Sequence, residues 1–385
     1  MNKKVALFVG LAAALGFNQA QAVEWNWNGD IRERFESQHI SPTATSNAPS
    51  DDSSRARTRV RLGVYPWINE ELSVGLQLST GDDNTKETIS RNQTFVGTFQ
   101  PKNIYLNEAF IDYHPMFLCG DVNMILGKRD ITNTIIRMDN LVYDSDLTIE
   151  GATLQYGKDA NGKEKDGLIG IVGYYFLNEN NTSAYSSPYL YLAQGAYKGE
   201  VNDINYMVGG AYNIYRSLQN LSIVDTNASA LASSVPANWK NSAYNIGEFF
   251  GKVGGQLTET LPWKVYGQYA FNTASHADHS SIDDSQRTAW MTGLAIGDAK
   301  QVGQWLFDTR YVSIGRDSVF PLFTDSDRKP ADLVNIKGFE VAGSYHLVQA
   351  LTLTARYYQY NNINASATAY NPTLHQLQLD AVVKF

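Results

Sequence analysis

The segment Trp27-Asn28-Gly29-Asp30-Ile31-Arg32-Glu33-Arg34-Phe35-Glu36, with Arg55-Ala56-Arg57-Thr58-Arg59-Val60-Arg61-Leu62 downstream of it, decides how this chain folds. In the first, Trp25, Trp27, Ile31 and Phe35 alternate with Asn26, Asn28, Asp30, Arg32 and Arg34. In the second, Thr58, Val60, Leu62 and Val64 alternate with Arg55, Arg57, Arg59 and Arg61. Successive side chains of a strand point to opposite faces, so each segment has one apolar wall and one wall that must stay wet. A soluble sandwich turns its inner faces into a dry core, which a row of arginines does not suit. A barrel in a membrane satisfies both walls, with lipid outside and water inside.

The same period returns along the chain. After Pro66-Trp67-Ile68-Asn69, residues Leu72, Val74, Leu76 and Leu78 oppose Ser73, Gly75, Gln77 and Ser79. At the end, Leu377, Leu379, Ala381, Val383 and Phe385 oppose Gln376, Gln378, Asp380, Val382 and Lys384. Further strands are predicted at 104–114, 121–129, 147–157, 167–177, 188–199, 203–215, 243–257, 263–272, 287–297, 303–313, 335–347 and 351–360, about sixteen in all. The connections between them are short at 66–70, 115–120, 199–202, 258–262, 298–302 and 348–350, and long and polar at 37–54, 81–103, 129–146, 216–242, 273–286 and 314–334. The expected fold is therefore all-β: an up-and-down antiparallel transmembrane barrel with short periplasmic turns and long extracellular loops. Trp67, Trp263, Tyr113, Tyr345 and Phe385 fall at the turn ends of their strands and Trp290 near a loop end, where amphipathic rings anchor at the headgroups.

The first residues agree with export. Lys3 and Lys4, the apolar run Val5 to Phe17 and then Ala20-Gln21-Ala22 have the order of a secretory signal, with cleavage expected after Ala22 and residues 23–385 left as one barrel domain. No later stretch approaches the eighteen or so apolar residues of a membrane helix, so a spanning chain spans as strands. With 23 Tyr, 16 Phe, 7 Trp and 30 Gly, the composition suits strands better than helices. Without Lys3 and Lys4 there are 29 basic against 39 acidic side chains, a net charge of −10 that argues against a nucleic-acid partner. Cys119 is the one cysteine, so no intramolecular disulfide contributes, and it reads as an inert thiol beside a turn.

The opening stretch Trp27 to Glu36 and the run Arg55 to Gly63 resemble the start of the bacterial putative-porin family. Leu72-Ser73-Val74-Gly75-Leu76-Gln77-Leu78-Ser79-Thr80-Gly81, Asn92-Gln93-Thr94-Phe95, Leu106-Asn107-Glu108-Ala109-Phe110-Ile111-Asp112-Tyr113 and Asp144-Ser145-Asp146-Leu147-Thr148-Ile149-Glu150-Gly151 are similar to its successive blocks, to about residue 156. The terminal Phe385 after a two-faced strand resembles the carboxyl-terminal signal of bacterial outer-membrane proteins. The opening also resembles, more weakly, alginate-export and substrate-specific carboxylate porins. The resemblance implies an outer-membrane location, passive diffusion of ions and small hydrophilic solutes, and no cofactor. Trimers are common among barrels of this strand number, and a homotrimer is the expected assembly.

On the inner wall, alternation places Arg32, Arg34, Arg55, Arg57, Arg59 and Arg61 in one sector, a track that guides anions or a set of partners for carboxylates such as Glu108 and Asp112. The loop that follows the fifth strand carries Arg129, Asp130, Arg137, Asp139, Asp144 and Asp146, and porins resembling this chain often fold such a loop inward, so it is the candidate constriction, with Arg137 facing the acids across the narrow point; a loop packed outward or on a neighbour is the alternative. A substrate-specific channel for acidic sugars or carboxylates is the alternative within transport. His276, Asp278, His279, Asp283 and Asp284 cluster in a loop but read as solvated, with no metal expected. Ser344 and His346 share one strand face, which opens a hydrolase reading that lacks an orienting third group and an oxyanion site, and no catalytic residues are expected. A plugged, adhesive or structural barrel is the remaining class.

Overall fold

A computed structural model describes residues 23–41, 51–81, 90–95, 97–118, 120–180, 186–221, 243–275, 282–328, 333–364 and 373–385. The signal-like segment 1–22, Cys119, and His276, Asp278 and His279 lie outside the described residues. The strands in chain order are β1 (Trp27–Ser41), β2 (Asp51–Val64), β3 (Trp67–Asn69), β4 (Leu72–Thr80), β5 (Gln93–Thr94), β6 (Ile104–Tyr113), β7 (Val122–Asp130), β8 (Thr148–Tyr156) and β9 (Gly167–Phe176). They continue as β10 (Tyr189–Val201), β11 (Ile204–Arg216), β12 (Asn245–Thr258), β13 (Leu261–Asn272), β14 (Thr288–Gly297), β15 (Trp305–Ile314), β16 (Ile336–Val348), β17 (Leu351–Asn362) and β18 (Thr373–Lys384).

Two of these are short pieces, β3 at the turn before β4 and β5 pairing with β2 beyond the end of β4. The other sixteen form the wall, each antiparallel to its neighbours. The sheet closes because β1 pairs with β2 on one side and with β18 on the other, from Asp30 opposite Lys384 to Ser41 opposite Thr373. Closure leaves no unpaired edge, which a sheet in lipid requires. Tight turns join the strands at one end. Asn202 and Asp203, with φ of 49° and 64°, form the two-residue connection between β10 and β11, and these are residue types that tolerate a left-handed backbone.

Along β1 the even-numbered residues from Asp30 to Glu36 are buried and the odd-numbered ones exposed, so the charged wall faces in and Ile31 and Phe35 face out. Exposed Leu168, Val172, Val208 and Phe249 extend the apolar outer surface around the barrel. In water such a surface would invite aggregation; facing lipid, it holds the barrel in place.

Alternation predicts a wet inner wall all round, and here the structure departs from it. On β9, β10 and β14 the inner residues Ile169, Ile171, Tyr175, Leu190, Leu192 and Met291 are buried in a hydrophobic cluster. They pack with Ile131, Ile135, Leu141, Val142 and Tyr143 of the 131–147 loop, and with Val319 and Phe320 of the 315–328 segment. Two connections therefore fold into the barrel and pack against one side of its inner wall. Each fully buried Leu or Ile contributes about 1.5–3 kcal/mol, so these loops are anchored by a core of their own. The sector of β1, β2, β4 and β6 keeps a mostly polar inner wall, joined by Glu340 of β16 and Gln376 and Gln378 of β18.

Candidate functional site

The six arginines of β1 and β2 stand side by side because the two strands pair with Arg32 opposite Arg59 and Arg34 opposite Arg57. Such an array of like charge is stable only if carboxylates stand between the guanidiniums. Arg59 and Arg61 both donate to Asp30, at 3.0 and 2.5 Å. Arg55 and Arg57 share Glu36, at 2.6 and 3.4 Å. Arg34 donates to Asp380 of β18 at 2.6 Å and to Asp327 of the 315–328 segment at 3.0 Å. Arg32 donates to Asn92 at 2.6 Å. The expected partners Glu108 and Asp112 are not among these: Glu108 accepts from the Tyr65 hydroxyl at 3.2 Å, and Asp112 pairs with Arg129 at 2.9 Å. Both sit on β6, separated from β2 by β4, whereas Asp30 and Glu36 lie on the strand next to it.

The 131–147 loop crosses to this strip. Its Asp146 accepts from Arg59 at 2.9 Å and lies 3.9 Å from Arg32 and 3.8 Å from Arg61. Asp139 pairs with Arg310 of β15, which also meets Glu340 of β16 at 3.0 Å. Asp144 accepts from the backbone N–H and hydroxyl of Ser326, at 2.8 and 2.7 Å, joining the two inward segments. Arg129 and Asp130 belong to the end of β7, and Asp130 caps the helical turn Ile131–Thr134 by accepting from Thr132 and Asn133. Arg137 does not face the acids. Its guanidinium donates to the Tyr143 carbonyl at 3.0 Å and to Asn140 within its own loop, because that loop turns backbone acceptors toward it.

Sequence reasoning missed the second inward segment. Asp327 reaches Arg34, and the fully buried Arg328 donates to Glu340 at 2.9 Å and to the Asn140 carbonyl at 2.8 Å. The signal available was the charged run Asp325-Ser326-Asp327-Arg328 in a long connection.

A family model described as Putative porin matches residues 15–246 and 239–385, nearly the whole chain. The chain belongs to the putative porin family. The fold of this porin is similar to that of OprB from Pseudomonas putida at high pH, with a TM-score of 0.56, 10% identity and 94% of each chain covered. It is similar to an anion-selective porin from Comamonas acidovorans, at 0.52 and 10%, covering 94% of this chain and 100% of that one. The outer-membrane channel DcaP of Acinetobacter baumannii gives 0.50 and 11%, with 96% and 99% covered. No curated protein matches the sequence. At such identities the likeness shows the fold alone: a closed sixteen-stranded porin barrel of the outer membrane.

In this porin the inward loops carry carboxylates of opposite behaviour. Burial resists ionisation of Asp146, but Arg59, Arg32 and Arg61 outweigh it and hold the group below the usual carboxylate range. Asp327 is likewise held low by Arg34, Arg32 and Arg57 against the cost of burial. Asp144, buried and facing Asp325 and Asp146, is pushed up to about 7. Ser344 and His346 do not form a nucleophile and base: the serine hydroxyl shares a 2.8 Å hydrogen bond with Thr354, and His346 Nδ1 lies 3.1 Å from the Ala299 carbonyl. Asp283 caps a short turn through Ser285, and no metal-holding cluster occurs among the described residues.

Proposed function

We propose that this porin passes ions and small hydrophilic solutes by passive diffusion, and that its selectivity is set where the arginine strip meets the two inward segments. The observation that carries this is the sharing of the strip between wall and loops: Arg59 lies between Asp30 and Asp146, and Arg34 between Asp380 and Asp327. A narrow point with cations on one side and loop carboxylates on the other has a transverse field, which orients a polar solute as it passes. Six guanidiniums meet five carboxylates there, namely Asp30, Glu36, Asp146, Asp327 and Asp380, so one net positive charge remains and the bias is weakly toward anions. Reversal potential in planar bilayers under a salt gradient tests this; a cation preference would contradict it. Export through the signal-like segment, with cleavage after Ala22, belongs to the same reading.

The proposed assembly is a homotrimer. Glu33 faces outward from β1, exposed, and accepts a 2.7 Å hydrogen bond from Thr58. It borders an outer groove of about 980 Å³ in which Ala56, Gly343, Ala355 and Ala381 leave the wall recessed. A carboxylate against lipid is unfavourable, and small residues let a second wall approach closely, so a neighbouring protomer suits this face better than acyl chains do.

A further inference from the structure

At the turn end of the strip the lumen opens into a polar cavity of about 450 Å³, bounded by β1, β2, β4 and β6, by the helical turn Ile131–Thr134 and by residues 160–161. The connection 157–166 rises into the barrel to reach it. Arg129 donates to the Ala160 carbonyl at 3.2 Å, and Gly162, at φ +79°, lies so close that a Cβ would sit 2.3 Å from the Asn133 carbonyl oxygen. This wall is packed in place by a left-handed glycine that no other residue replaces without strain.

Three carboxylates, Asp30, Glu108 and Asp130, and three cations, Arg61, Arg129 and Lys384, line the cavity. Several are committed: Asp30 to Arg61, Arg129 to Asp112 outside the cavity, and Glu108 through one oxygen to Tyr65. The uncommitted groups are of every kind: the Lys384 ammonium makes no side-chain hydrogen bond or ion pair among the described residues, and beside it stand neutral amides and a carboxylate oxygen. The free Lys384 ammonium and the free Glu108 oxygen face the same space, so a charged solute of either sign meets like charge there. The side-chain amides of Asn28, Asn133 and Asn161 line the cavity and make no hydrogen bond among the described residues, and Glu108 Oε1 accepts none.

An amide presents a donor and an acceptor together, and a hydroxyl is the ligand group that answers both. A carboxylate would face Glu108 and leave the amide carbonyls unmatched; an ammonium would face Arg61 and leave the amide N–H groups unmatched. We propose that this vestibule is a binding subsite for a small uncharged polyhydroxylated solute of about monosaccharide size, which lies within the usual volume range of ligand pockets. The inference rests on the channel reading and adds the class of solute that pauses on the way through.

The test adds glucose, glucuronate or glucosamine to open channels of the purified protein in potassium chloride, the three sharing a ring and differing in charge. Glucose is expected to reduce the current with saturation and at a lower concentration than either charged sugar. Asn161→Leu is expected to raise its half-blocking concentration about tenfold, the effect of leaving one hydrogen-bonding group unmatched. Asn28→Leu serves where Asn161→Leu fails to give a heat-modifiable barrel. Strongest block by glucuronate or glucosamine, equal unsaturable reduction by all three, or variants that leave the glucose value unchanged would each overturn the assignment. A channel with no steps before sugar is added would instead defeat the channel reading. Titrating Trp67 fluorescence with glucose then decides the subsite by itself: a saturating change lost in the variants upholds it, and a flat trace ends it.

Discussion

Replacing Asp146 by Asn removes one charge from the narrow point while keeping the shape of the side chain. The amide oxygen still accepts from Arg59, which retains Asp30, and Arg32 retains Asn92, so the 131–147 loop is expected to stay docked on its apolar core. The net charge of the strip and its partners rises from one to two positive. For an ion passing about 6 Å away, one added charge is worth about 0.7 kcal/mol in water and about 0.4 kcal/mol after screening at 0.1 M salt. The effect has opposite sign for anion and cation, so their permeability ratio is expected to move toward anions by about three- to tenfold. Reversal potential under a salt gradient reads this ratio directly, and the shift should shrink as salt is raised. An unchanged ratio, in a variant whose barrel still unfolds only on heating, would refute the reasoning by showing that permeant ions do not pass near Asp146.

Arg57, Arg59 and Arg61 changed together to Gln should move selectivity toward cations, since the strip falls from one positive to two negative charges; heat-modifiable migration checks that the wall survives. Asp144, pushed up to about 7 by burial and by Asp325 and Asp146, binds a proton in the folded loops more readily than in the free chain. A raised carboxyl pKa means that acidification stabilises the docked loops as pH falls from about 7 toward 4, by relieving the repulsion from Asp325 and Asp146, so transient closures should be rarer at pH 5.5 than at pH 8, and Asp144→Asn should abolish that difference in single-channel records. Gly343→Trp adds a side chain where a Cβ meets nothing within 4 Å, into the outer groove, and should convert the proposed trimer to folded monomers on sizing in detergent.

The barrel was legible because two-residue alternation is local: each strand announces its own wet and greasy faces, and closure of an even number of strands follows from where the termini fall. Arg32, Arg34, Arg57, Arg59 and Arg61 could be placed on one inner sector for the same reason. Their partners could not be chosen, since Arg34 to Asp380 joins the two ends of the chain and depends on the β1–β18 register. Strands such as Gly-Leu-Ile-Gly-Ile-Val-Gly-Tyr-Tyr-Phe, Gly167–Phe176, are apolar on both faces, and that departure from alternation coincides with the apolar cluster of the inner wall. Arg137 shows a further limit. Whether a loop arginine spans a pore or turns back to its own carbonyls is decided by the loop backbone, which residue types alone do not specify.

The most direct test of the account is single-channel recording of the purified protein in planar bilayers under a salt gradient. Stable open steps with a weak anion preference are the predicted result, and silence from a folded, heat-modifiable barrel would contradict it.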